Sequence, residues 1–92
     1  MNPWFVYMIR CVNGHLYTGC TTNVIRRWHQ HRKGTGAKYL RAHKPKAVVF
    51  IEQHPNRSEA CRREYEIKGY PKQKKEALIS EYNMLEVDYL QE

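Results

Sequence analysis

The chain is short of the features that mark secreted, membrane and multidomain proteins. It has three cysteines (Cys11, Cys20 and Cys61), an odd number with no C-x-x-C pair. A disulfide framework is therefore not expected, and the thiols should be reduced. No apolar run approaches the ~20 residues that span a bilayer. The first residues lack the basic and apolar regions of a signal peptide. These absences predict a soluble, cytoplasmic protein without membrane contact. No internal repeat or low-complexity tract is visible, and 92 residues leave no room for two cores. One domain over residues 1–82 is expected, with residues 83–92 as an acidic tail packed on it or extending it.

Acid is missing where base is concentrated. From Arg32 to Lys46 there are six cations (Arg32, Lys33, Lys38, Arg41, Lys44, Lys46) and no Asp or Glu. Charge that only solvates a surface is rarely so segregated. The acids gather at the other end: residues 83–92 hold Glu86, Asp88 and Glu92 and no cation. The formal net charge is +7, so residues 1–82 carry +10. A small domain of that balance favours a polyanion, and nucleic acid first. Arg26 and the six cations from Arg32 to Lys46 are the expected DNA contacts.

What is present reads as a small α+β domain. Phe5 to Cys11 is rich in aromatic and β-branched residues and predicts a strand. Asn13-Gly14 predicts a hairpin turn, and Leu16 to Cys20 the return strand. Thr22 or Asn23 can cap a helix running to about Arg32, with Ile25 and Trp28 as its buried stripe and Gly34 as its stop. Ala47 to Glu52 is nearly all apolar and predicts a central strand covered on both faces. Ser58 is the expected cap of a second helix ending at Gly69, and Pro71 fits the first turn of a third, ending near Tyr82. The predicted fold is a small three-stranded antiparallel sheet flanked by helices, in the order β-β-α-β-α-α.

Five residues stand out within that frame. Tyr7 and Tyr17 lie on the two hairpin strands, close to one another on one face or opposed. Arg27 and His31 share a helix face at i, i+4. Glu64, flanked by Ala60 and Ile67 at helical spacing, is an acid on an apolar face, where it needs a partner, a ligand or a task. Singly each has an ordinary explanation: strand aromatics, a solvated arginine, a histidine at a helix end, a Glu64–Lys68 ion pair. Cys11, Cys20, His29 and His31 invite a zinc reading, but their spacing matches no familiar finger.

As an ordered set they resemble a known family. Val6-Tyr7-Met8 followed by Tyr17-Thr18-Gly19 resembles the paired signature of the GIY-YIG nucleases. The stretch Y-T-G-x-T-T-N-x-x-R-R-W-x-Q-H from Tyr17 to His31 is similar to that family's strand-to-helix segment. Gly34-Thr35-Gly36-Ala37-Lys38-Tyr39 and Ala60 to Lys68 are similar to its small single-domain bacterial branch. The resemblance spans residues 4–80. The family often has a lysine three positions after the second tyrosine, where this chain has Cys20. Many members have an asparagine twelve positions after the glutamate, where this chain has Glu76, a second ligand or a surface charge.

The resemblance implies metal-dependent phosphodiester hydrolysis on DNA. By position it makes Tyr7 and Tyr17 the active-site tyrosines, Arg27 the phosphate-binding arginine and Glu64 the ligand of Mg²⁺ or Mn²⁺. His31 matches a histidine of some members. Either Tyr17 or His31 is then the general base. Tyrosine needs its pKa of about 10 lowered by nearby cations, whereas histidine titrates near 6.5 unaided. The expected substrate is structured or damaged DNA in repair or recombination, with repair proteins as partners. The competing expectation is a DNA-binding module of the same fold whose site is weak or inactive.

Overall fold

In a computed structural model, the backbone is described for residues 2–90 and the side chains for residues 2–82. Seven elements follow one another: β1 (Trp4–Cys11), β2 (Leu16–Thr21), α1 (Val24–Lys33), α2 (Lys38–Ala42), β3 (Pro45–His54), α3 (Arg57–Lys68) and α4 (Lys72–Leu90). The strands form one antiparallel sheet in the order β2-β1-β3. The fold is α+β, as predicted, with one helix more than expected. That helix, α2, is a five-residue piece without a capping side chain, burying only Leu40. An element so short generates no periodicity to read.

The centre of the sheet is β1, not β3. Val6, Tyr7, Met8 and Ile9 are almost wholly buried, whereas β3 buries only Phe50 to that degree. The apolar run in β3 misled because cover on both faces produces such a run even on an edge strand. Phe50 joins one core cluster, and Val48 and Ile51 pack on the other.

The hairpin between β1 and β2 closes with a three-residue loop. The Gly14 N–H donates to the Cys11 carbonyl at 2.9 Å and the Cys11 N–H to His15 at 2.8 Å. Within this loop only Gly14 takes positive φ, at 89°. The turn is therefore a type I turn with a left-handed third residue rather than a two-residue primed turn.

The inward stripe of α1 is Val24, Arg27, Trp28 and His31, all half-buried or buried, while Ile25 is 73% exposed. The expected stripe holds at Trp28 and fails at Ile25, because two of the inward positions are taken by the polar side chains of Arg27 and His31. Asn23 caps α1, accepting from the Arg26 N–H at 2.9 Å. Asn56, not Ser58, caps α3, accepting from the Glu59 N–H at 2.9 Å. The helix begins at Arg57, one residue before the expected cap. Its inward stripe repeats the pattern of α1: Ala60, Arg63, Glu64 and Ile67.

The Pro71 carbonyl accepts from the N–H groups of Lys74 and Lys75, so the proline directly precedes α4. That helix runs past the expected end at Tyr82 to Leu90. The expected packing of the apolar side chains of residues 83–92 lies outside the described residues. Among the described residues, no helix is long and apolar enough to cross a membrane.

Two core clusters sit on opposite faces of the sheet. Val6, Met8 and Phe50 meet Ala60, Ile67 and Ile79 of α3 and α4. Tyr7, Ile9 and Cys11 meet Leu40 of α2 and the Trp28 ring of α1. The tyrosine face therefore belongs to α1 and α2.

Candidate active site

The register of β1 and β2 sets the two tyrosines. Tyr7 pairs with Gly19 and Ile9 with Tyr17, so the phenols are diagonal neighbours on one face. Their ring centroids are 6.4 Å apart. Gly19 leaves room for the Tyr7 ring. A Cβ there would stand 2.6 Å from the Tyr7 hydroxyl and 2.8 Å from its Cζ.

The α1 stripe lies over this pair. His31 Nε2 is 2.9 Å from the Tyr7 hydroxyl, and the Ala37 N–H donates to His31 Nδ1 at 3.2 Å. A nitrogen that accepts is unprotonated, so the ring proton sits on Nε2 and is donated to the Tyr7 oxygen. The phenol proton of Tyr7 is left for another acceptor. Burial, assisted by the Arg27 guanidinium, lowers the His31 pKa to about 4. The loop after α1 makes this possible by folding back at Gly36, where a Cβ would stand 2.2 Å from His31 Nδ1.

Arg27 Nη1 donates to Gln30 Oε1 at 2.9 Å. Its positive charge lowers the pKa of the nearby Tyr7 hydroxyl, against the larger effect of burial. Beside it opens a cleft of about 360 Å³ lined by Trp4, Cys20, Thr21, Arg26, Arg27 and Gln30. Burial raises the pKa of Tyr7 well above the ordinary tyrosine value, with the Tyr17 charge adding to the effect. Burial also raises that of Tyr17, against the opposing pull of Lys68 and Arg27.

Glu64 arrives from the other side of the sheet. Alternation along β2 turns Tyr17 and Gly19 toward α1 and Cys20 toward α3. Because β2 is an edge strand, groups from both faces meet around its free edge, and the Glu64 charge is felt at both tyrosines. Glu64 Oε2 accepts from Lys68 Nζ at 2.6 Å, and its side chain is 19% exposed. The Cys20 thiol lies near the same carboxylate, and burial first, then the neighbouring Glu64 and Cys61, raises the thiol's pKa.

The Glu64 carboxylate fits a divalent ion. It already holds one cation, the Lys68 ammonium, and it is the only acid of a metal-capable cluster among the described residues. A single hard oxygen suits Mg²⁺ or Mn²⁺, since Mg²⁺ keeps most of its waters. Glu76 stands apart from this site: both its oxygens bind the Arg10 guanidinium, at 2.9 and 2.6 Å.

Of the residues singled out in the sequence, Tyr7, Tyr17, Arg27, His31 and Glu64 are brought together, from four elements. Arg26, Arg32, Lys33, Lys38, Arg41, Lys44 and Lys46 are all exposed, and Arg26 lines the cleft. The zinc quartet is dispersed in environment. Cys11 and His31 are buried in the tyrosine-face packing, and His29 is exposed on α1. Sequence reasoning missed Gln30, which holds Arg27, and Ala37, whose N–H sets the His31 tautomer. It also missed Tyr39, stacked on Tyr17 at 6.1 Å, which joins Lys68 and Lys75 around a second opening beside Tyr17. Only Gln30, three residues after Arg27, left a local signal; the others depend on how the chain folds back.

Residues 3–85 match the model of the GIY-YIG catalytic domain. The chain belongs to the GIY-YIG family. Within it, the relatives are small bacterial proteins. A UPF0213 protein of Cronobacter sakazakii is 49% identical over 80 residues, covering 87% of this chain and 84% of its own. One from Staphylococcus aureus strain Mu3 is 46% identical over 81 residues, covering 88% and 99% respectively. The solution NMR structure of a UPF0213 protein from Bacillus halodurans aligns with a TM-score of 0.55 at 44% identity, over 85% of this chain and 83% of that one. This GIY-YIG protein is therefore a UPF0213 family member.

Proposed function

We propose that this protein is a divalent-metal-dependent endonuclease that hydrolyses phosphodiester bonds in structured or damaged DNA. The observation that carries the reading is the convergence, around the free edge of β2, of two phenols, a guanidinium and one carboxylate able to hold a cation. Membership of the GIY-YIG family points the same way.

The roles follow from the chemistry of each group. Arg27, preorganised by Gln30, forks onto the non-bridging oxygens of the scissile phosphate, a bidentate geometry that lysine cannot copy. Glu64 would hold Mg²⁺ or Mn²⁺, which would supply charge neutralisation at the phosphate and leaving oxygen. Lys68, which now occupies the carboxylate, would give it up to the ion and stay beside Tyr17. Tyr17 orients the attacking water and takes its proton; burial raises its pKa, so Lys68, Arg27 and a bound ion must together favour the phenolate against that effect. Tyr7 donates its free proton to a substrate oxygen, positioned by the Nε2–H of His31. His31 is a positioning residue in this scheme, because both ring nitrogens are engaged. The exposed cations from Arg26 to Lys46 bind flanking phosphates and make affinity fall with salt.

A second reading, a DNA-binding module with a weak site, is favoured by one observation. Glu64 is already neutralised by Lys68, so an ion must displace an existing partner. A nicking assay on flapped, branched and duplex DNA decides between them. The endonuclease reading expects nicks with Mg²⁺ or Mn²⁺ and none in Arg27→Ala or Glu64→Ala, with salt-sensitive binding kept. Binding without metal-dependent nicks on any DNA form leaves the module.

A further inference from the structure

The fold brings together two thiols and a carboxylate that sequence spacing leaves far apart. Cys20 on β2 and Cys61 on α3 are 41 residues apart in the chain, and their sulfurs are 3.7 Å from each other. One Glu64 oxygen completes a group whose ligand atoms all lie within 4.8 Å of one another. Both cysteines are free thiols. Two thiolates at ~2.3 Å from one tetrahedral Zn²⁺ stand ~3.8 Å apart, so the sulfur pair already has the required spacing. The carboxylate reaches its position with a closure of about an ångström, through a rotamer adjustment on α3.

We propose that Cys20, Cys61 and Glu64 form a binding site for Zn²⁺, distinct in chemistry from the hard-ion site that uses Glu64 alone. Two sulfur ligands select a thiophilic ion over Mg²⁺ or Mn²⁺. Each thiol releases its proton to water on ligation. The fourth position opens to solvent, because Cys20 also lines the cleft beside Arg27 and Cys61 is exposed at the surface. Such a three-ligand, open arrangement has the form of an accessible zinc site rather than a closed structural one. The departure from the family's common lysine at position 20 is what supplies the first sulfur.

The site has a consequence for the nuclease reading, on which this part alone rests. Zn²⁺ held by two sulfurs draws Glu64 away from Lys68 and from a hydrated Mg²⁺. Thiol-bound zinc therefore inhibits the Mg²⁺ reaction, and the inhibition needs both cysteines.

The test is Co²⁺ titration of the reduced full-length protein, followed by the sulfur-to-cobalt charge-transfer absorption and the tetrahedral visible bands. A one-to-one complex with two-thiolate intensity is expected, bleached by stoichiometric Zn²⁺. Cys61→Ser, an exposed substitution that leaves the core intact, should weaken Co²⁺ binding about tenfold or more and halve the band. Cys11→Ser should leave the spectrum unchanged. Absence of the charge-transfer band, or a band that persists undiminished in Cys61→Ser, overturns the site. In a parallel nicking assay Zn²⁺ should inhibit the parent protein and spare Cys61→Ser. A parent protein that never nicks with Mg²⁺ defeats the nuclease reading while leaving the cobalt spectrum to judge the zinc site.

Discussion

His31 Nε2 donates to the Tyr7 hydroxyl across 2.9 Å, joining residues 24 positions apart, and the Ala37 N–H on the other ring nitrogen determines which of them is the donor. A buried, neutral histidine has a stability signature. Its pKa is lowered from 6.5 to about 4 in the folded protein. Between those values the unfolded chain binds the proton and the folded protein does not. Stability from this group is complete above about pH 6.5 and is lost as the pH falls toward 4. The loss amounts to about 1–3 kcal/mol. The difference in denaturation free energy between the parent and His31→Gln, followed against pH, should shrink by that amount over the same window. A difference independent of pH would mean that His31 is not held neutral.

Gly19 is fixed by the ring opposite it. Gly19→Ala places a methyl 2.6 Å from the Tyr7 oxygen and 3.2 Å from a Tyr17 ring carbon. Neither phenol can retreat freely, since the Tyr7 ring is buried and held by His31. The expected cost is about 1–3 kcal/mol, as for overpacking in a core. Urea denaturation measures it, and the tyrosine ring resonances should shift in the folded variant.

Arg27 should resist conservative replacement. Arg27→Lys keeps the charge but loses the fork and the contact with Gln30 Oε1. Nicking should fall about a hundredfold or more in both Arg27→Lys and Arg27→Ala. The salt dependence of DNA binding should change only slightly in Arg27→Lys. Nicking restored by lysine would reduce Arg27 to a general source of charge.

Lys68 touches Glu64 at 2.6 Å, so under the proposed function it competes with the ion for that carboxylate. Lys68→Met should lower the Mg²⁺ concentration needed for half-maximal nicking several-fold, while maximal nicking drops because Tyr17 loses a neighbouring cation. An unchanged Mg²⁺ requirement would show that the ion does not displace the lysine. The ion pair itself, half exposed on the lysine side, contributes little to stability.

Glu76 tests whether the site has a second acid. It forms a bidentate pair with Arg10 that ties α4 to β1, with side chains 27% and 37% exposed. Glu76→Ala should cost up to about 1 kcal/mol and leave the Mg²⁺ dependence of nicking in place. A lost metal requirement would make Glu76 a ligand after all.

Much of this molecule was legible in one dimension. Alternating strand residues, the Asn13-Gly14 turn, the Gly34 stop and the segregated charge are local signals, set by backbone sterics and side-chain polarity within a few residues. They sufficed for the element order apart from α2 and for the antiparallel hairpin, whereas the five candidate site residues stood out as a set only through the resemblance to the GIY-YIG family. Reading α1 failed at Ile25 for an instructive reason. Hydrophobic periodicity locates a buried face only when that face is apolar, and here it carries Arg27, held by Gln30 of the same helix, and His31, whose partners belong to β1 and the loop after the helix. For the same reason Glu64 was visible as an oddity among Ala60 and Ile67, but its Lys68 clamp could not be distinguished from a surface pair.

Tertiary structure alone decided which strand is central, which nitrogen of His31 carries the proton, and that Cys20 meets Cys61. Each depends on contacts between distant segments, and sequence spacing holds no information about them until strand register and helix rotation are set together. What the amino-acid order determined is the set of groups available to the site. What packing around the edge of β2 determined is which of them touch.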